Sequence, residues 1–127
     1  MTTSLPPGPP PVRLAAATWR APLAPGREVG VARVVGDGLR ALDVRDGDHV
    51  LLARRERAEH GDLAAVLDDR ERAWLWKVYP EGDRLRLSMG HPGLERLSAP
   101  NPRVQGVVVA VLRSLAAGPA PTPRRKD

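Results

Sequence analysis

The chain is 127 residues long, carries a net charge of +5, and contains 14 prolines and no cysteine. That length makes one small domain, and the missing thiol excludes disulfides, thiolate catalysis and Cys-ligated metal centres. No apolar run approaches the roughly 18 residues of a membrane-spanning helix, and the opening MTTSLPPGPPPVR has neither the basic nor the apolar region of a secretory signal.

Seven prolines fall in residues 1–25 and three in 118–127, so both tails are expected to lack regular structure. The expected organisation is a Pro-rich arm over 1–27, a folded domain over 28–116 and a disordered basic tail over 117–127. Residues 1–12 read as extended, and Trp19 is the one aromatic of the arm, a residue type that packs back onto its own domain or a partner.

From residue 28 onward the chain reads as short strands between turn signals. The first strand covers 31–35 and stops at Gly36-Asp37-Gly38. Residues 39–44 make one helical turn, and Asp46-Gly47-Asp48 is a tight turn. A nearly continuous apolar strand follows over 49–53, then the charged loop RRERAEH over 54–60. The next strand covers 63–67. Residues 72–79, RAWLWKVY, alternate most clearly. Trp74, Trp76 and Val78 share one face, and Ala73, Leu75, Lys77 and Tyr79 the other. Pro80 to Asp83 form a hairpin turn into a strand over 84–88. Residues 89–102 read as loop, and 103–113 as a long last strand. The fold class is therefore mainly β, with about six short, mostly antiparallel strands.

Three motifs with chemical potential read as turns instead. Gly36 and Gly38 do not form a G-x-G-x-x-G cradle. Asp43, Asp46 and Asp48 lack the bidentate Glu of a calcium loop. His49, His60 and His91 fall on different elements without zinc spacing, so no metal and no cofactor are expected. Ser88, Ser98 and Ser114 are the serines of the domain, and none sits on a nucleophile elbow. Lys77 stands out in a chain whose other 19 basic residues include 18 arginines. If its face is the buried one, the ammonium loses solvent and the neutral amine becomes a general base; if the Trp face is buried, Lys77 faces water. Alternation leaves both open. The arginines at 54, 55 and 57 are interrupted by Glu56 and Glu59, and the domain is nearly charge-balanced, so direct nucleic-acid binding is not expected.

The order of these pieces resembles the LexA/UmuD-like serine–lysine self-cleaving peptidases, within the signal-peptidase-like superfamily. VVGDGL at 34–39 and VRDGDHVLL at 44–52 resemble that family's V-x-G-D-S-M and D-G-D-x-V-x-V signature. GDLAAV at 61–66, WKV at 76–78, LRLS at 85–88 with Asn101-Pro102, and VQGVVV at 104–109 with Arg113 follow in the family's order. The match covers about residues 31–115. The resemblance implies a β-barrel-like fold like the LexA C-terminal domain. It places Lys77 at the general base and Gly38 at the nucleophilic serine, with Gly36, Asp37 and Leu39 completing the pocket. Gly38 has no side chain, so this member is degenerate and the site vestigial. The chain also lacks the Ala-Gly bond upstream of the site that the family cleaves. Its 30 Pro-rich opening residues supply no helix-turn-helix, which brings it closer to the stand-alone UmuD-like form. The resemblance implies a cytoplasmic, non-catalytic regulatory or protein-interaction module, as in transcription regulation and the SOS response. It would dimerise or bind a hetero-partner through the C-terminal strand, with no membrane. The alternative is an active peptidase or hydrolase in which Lys77 serves a recruited Ser88 or Ser98.

Overall fold

The computed structural model describes residues 10–20, 28–91 and 93–113. Nine strands occur among them: β1 (Val12–Leu14), β2 (Thr18–Arg20), β3 (Val29–Val35), β4 (His49–Arg54), β5 (Leu63–Leu67), β6 (Ala73–Glu81), β7 (Arg84–Ser88), β8 (Arg96–Leu97) and β9 (Arg103–Leu112). The helical content of the described residues is a single 3₁₀ turn at Arg40–Leu42. Six strands close into a ring in the order β1, β3, β4, β9, β5, β6 and back to β1, every pairing antiparallel. The fold is thus a mainly-β barrel: the strand pattern led to the mainly-β class, and the family resemblance implied the barrel.

Closure depends on the arm. Val12, Arg13 and Leu14 of β1 pair with Leu75, Trp74 and Ala73 of β6 on one side. On the other, Arg13 and Leu14 meet Val35 and Val34 of β3. Val12 is fully buried and Leu14 nearly so. The expectation that residues 1–27 hold no regular structure is therefore corrected at β1 and β2. A three-residue strand needs few backbone pairs, and Pro11 stands just before the first paired residue, where its missing N–H removes no ladder bond. β8 likewise interrupts what reads as continuous loop over 89–102. The tail over 117–127 lies outside the described residues.

Residues directly opposite in an antiparallel pair share a face. Val12, Leu14, Ala32, Val34, Val50, Leu52, Ala65 and Leu75 fall together on the inner face and are buried. On the other face of the β5–β6–β7 segment, Ala64, Trp76, Val78, Leu85 and Leu87 are also buried. β6 is thus packed on both sides. β1 occupies its edge only at Ala73 to Leu75, and β7 takes over that edge from Lys77 to Glu81. Trp19 folds back onto the barrel, against Gly30 and Gly106, and Arg54 caps its ring at 4.1 Å while pairing with Glu28. A Cβ at Gly30 would lie 2.7 Å from that indole, so the position needs glycine for room.

Candidate functional site

The two glycines of Gly36-Asp37-Gly38 serve different physical ends. Gly36 has φ 115°, a region that side chains rarely enter. The turn is held by crossed carboxylates: Gly36 N–H donates to Asp46 Oδ1 at 2.8 Å, and Asp46 N–H donates to Asp37 Oδ1 at 3.1 Å. Asp37 is otherwise exposed and faces Arg40 at 3.8 Å. Leu39 is fully buried in the core beside Val44, whose N–H donates to the Leu39 carbonyl at 3.2 Å. Gly38, by contrast, is not among the positive-φ residues. It is a glycine for space. An ideal Cβ there would lie 2.2 Å from the Pro10 carbonyl oxygen, 2.4 Å from Met89 Cε and 3.2 Å from Val12 Cγ2.

Lys77 sits on β6, directly opposite Ser88 of β7 and Leu63 of β5. It is half-buried, on the same face as the fully buried Leu75. Because Trp76 and Val78 are buried too, neither of the two readings of that strand holds alone. Among the described residues no hydrogen bond or ion pair engages the Lys77 side chain. Ser88 is buried at 6% exposure, and its Oγ accepts the Gly90 N–H at 3.0 Å. The next residue, Met89, reaches Gly38. Consecutive residues at the end of β7 therefore connect the Lys77 and Gly38 positions. Met89 and Pro10, which fill the space at Gly38, carried no sequence signal beyond lying near the strands.

The aspartates are structural. Asp48 is buried at 3% exposure and accepts from Arg113 Nε at 2.9 Å, Arg113 Nη2 at 2.8 Å and Arg45 N–H at 2.9 Å. The Arg113 hydrogen bonds hold its carboxyl below the usual carboxylate range against the opposing effect of burial. This pair ties the end of β9 to the turn before β4. Asp68 organises the β5–β6 turn, accepting from Trp74 Nε1 at 2.9 Å and from the N–H groups of Arg70 and Arg72. The Trp74 bond leads the lowering of its pKa. Among the described residues no three His, Asp or Glu side chains converge as metal ligands. His60 packs edge-on against Tyr79 with ring centroids 4.7 Å apart. Among the described residues no helix is long and apolar enough to cross a membrane. A groove of about 560 Å³ lies on the Trp74–Trp76 face, and neither Gly38 nor Lys77 lines it.

A LexA repressor of Syntrophotalea carbinolica is 34% identical over 86 residues, covering 65% of this chain and 42% of that protein. One from Herpetosiphon aurantiacus is 38% identical over 91 residues, covering 69% and 42%. The LexA repressor of Koribacter versatilis is 33% identical over 89 residues, covering 68% and 42%. The chain is LexA-like. No protein-family model matches it. This LexA-like chain spans less than half the length of these curated relatives.

Proposed function

We propose that this LexA-like chain is a non-catalytic, UmuD-like interaction module whose peptidase site is vestigial. The observation that carries this reading is the closed space at Gly38. A serine in that position needs room for Cβ and Oγ, and the Pro10 carbonyl would stand 2.2 Å from the Cβ alone. The site lacks both the nucleophile and the volume to receive one. Loss of either member of a nucleophile–base pair removes most of the rate it supplies. Gly36, Asp37 and Leu39 then serve the turn and the core, and Lys77 is the remnant of the base.

The interaction surface is the free part of β9. β5 pairs with residues 103–107 of β9 and β4 with residues 106–112, so from Val108 to Leu112 one edge has no strand partner among the described residues. That stretch exposes Val109 at 53%, Val111 at 39% and Leu112 at 50%. An unpaired apolar edge is a template for strand addition, and two copies pairing this way form a self-complementary two-fold interface. The partner is a second copy of this chain, a LexA-like repressor or a polymerase-type complex, in the cytoplasm.

The register favours one second reading. Lys77 and Ser88 are cross-strand neighbours, and Ser98 Oγ is instead engaged by the Leu85 N–H at 2.8 Å. In that reading the Lys77 amine takes the Ser88 hydroxyl proton as the oxygen attacks an acyl carbon, whose carbonyl π bond opens to a tetrahedral oxyanion; collapse breaks the bond to the leaving group, which takes the proton from the Lys77 ammonium, and water then hydrolyses the acyl-serine. Intact mass separates the two. After incubation at neutral and alkaline pH, the wild type and a folded Gly38→Ser variant both stay whole, and a fluorophosphonate probe labels neither. Clipping of the wild type at a defined bond, or labelling abolished by Ser88→Ala, would overturn the non-catalytic reading in favour of the second; clipping confined to Gly38→Ser would overturn the argument from closed space.

A further inference from the structure

The charges of the domain are unevenly placed. Glu81 of β6 is the one acidic residue in the nine strands, and β1, β2, β3, β4 and β9 carry arginines and a histidine with no carboxylate among them. On the outer side of β2, β3 and β4 this segregation gathers Arg20, Arg33 and His49 around one cleft of about 470 Å³. All three are exposed, and among the described residues no hydrogen bond or ion pair engages their side chains. Arg33 stands directly opposite His49, which offers it no counter-charge. The carboxylates nearest along the chain are committed elsewhere. Glu28 pairs with Arg54, Asp46 accepts the Gly36 N–H, and Asp48 holds Arg113.

The backbone adds a donor. Leu14 pairs with Val34 and Thr18 with Val31, so three residues of the arm, Ala15 to Ala17, stand against two of β3. That extra residue makes a bulge, a device that breaks a ladder and leaves a backbone group unpaired. Ala16 lies in it and lines the cleft, and its N–H has no acceptor among the described residues. Thr18 lines the cleft between the basic residues. Arg20 pairs with Val29, four residues along β3 from Arg33. That is about 14 Å, a gap that two extended arginine side chains close from both ends around one ligand group.

The donor set selects the ligand. Two guanidinium forks, an imidazole, a hydroxyl and a free N–H surround a lining without a carboxylate, which suits an oxyanion and repels a cation. A carboxylate presents two oxygens, whereas a phosphate monoester presents three and carries close to two charges, a match for arginine forks. No Trp or Tyr lines the cleft, so it has no platform for stacking successive bases of a nucleic acid. We propose that this cleft binds the phosphate group of a small organic phosphate, gripped by Arg33 and completed by Arg20, His49 and Thr18. Neither Gly38 nor Lys77 lines it, so the assignment stands apart from the vestigial site.

The test titrates the full chain with inorganic phosphate and, at matched ionic strength, with sodium chloride. It reads the arginine Hε and backbone amide resonances. Phosphate is expected to shift Arg33 Hε and the Ala16 N–H along one saturating curve. Arg72 and Arg113, whose Nε groups are bonded to Asp68 and Asp48, should stay in place. Arg33→Gln is expected to weaken binding about tenfold or more at an unchanged melting temperature, and Arg55→Gln, an exposed arginine outside the cleft, to leave it as it was. Shifts that chloride reproduces show an adventitious ion only and overturn the proposal. So do a titration that does not saturate and an Arg33→Gln variant that binds like the wild type. A single-stranded oligonucleotide that displaces phosphate from these residues, with an affinity falling steeply with salt, would assign the face to nucleic acid and overturn it as well.

Discussion

Gly38→Ser tests whether this glycine is kept for room. The backbone there is ordinary, so no dihedral strain enters. The whole effect is steric. To restore an ordinary contact of 3.4 Å around a new Cβ, the Pro10 carbonyl must retreat by about 1.2 Å and Met89 Cε by about 1.0 Å. Met89 is flexible and gives way by changing rotamer. Pro10 cannot move so freely, because two residues on Val12 is fully buried and paired with Leu75. Overpacking of this kind costs about 1–3 kcal/mol, and the serine hydroxyl adds a buried polar group. In a domain this small that is a fall in Tm of roughly 4–8 °C per kcal/mol. Met89→Ala alone costs about 2–5 kcal/mol as a large-to-small change in a buried site. The double variant should be more stable than the two losses added together, by about 0.5 kcal/mol or more, because one change vacates the space the other needs. Urea unfolding with unchanged m-value is the assay. A Gly38→Ser variant within about 0.5 kcal/mol of wild type, or a strictly additive double variant, would refute the argument that the slot is filled.

Val109→Lys places a charge on the free edge of β9 and is expected to turn a dimer into a monomer in sedimentation velocity, with the far-ultraviolet spectrum unchanged. A wild type that is strictly monomeric at high concentration removes the edge-pairing proposal. Asp48→Asn keeps the shape but removes the charge that holds Arg113, and is expected to destabilise by about 1–3 kcal/mol, read by thermal melts at neutral pH. Because the folded carboxyl titrates below its ordinary value, its contribution is complete above the unfolded pKa of about 4 and disappears as pH falls through the lower folded value. The gap between wild type and Asp48→Asn should therefore close on acidification, and a gap that stays constant down to strongly acidic pH would contradict that assignment. Trp19→Ala uncovers Gly30 and Gly106 and releases Arg54. A loss of about 1–3 kcal/mol in urea unfolding is expected, less than for a fully buried tryptophan.

The strands that the sequence pattern identified are those with alternation long enough to see. β7 was legible at its bounds because Leu85 and Leu87 alternate with arginine between two turn signals. β1 and β2 were hidden because three residues carry no period and because prolines surround them. The signal that could have found β1 was local: Val12 and Leu14 flank Arg13 directly after Pro11, an inward-outward-inward triplet at a position where proline is tolerated. The orientation of Lys77 was not legible for a different reason. Alternation distinguishes two faces only when one of them meets water. β6 buries Leu75 on one face and Trp76 and Val78 on the other, so both faces read as apolar. The role of Gly38 was half legible. Its place in the motif drew attention to it, while the crowding by Pro10 and Met89 arises only in three dimensions.

The same short strand links these observations. β1 closes the ring between β3 and β6, brings the Pro10 carbonyl onto Gly38, and sets Pro11 beside the Trp groove. Here the arm that passes the slot is part of the hydrogen-bonded barrel, and opening the site would break the β1 pairings with both neighbours. That couples stability to closure. Any change in β1 that frees the slot therefore weakens the barrel.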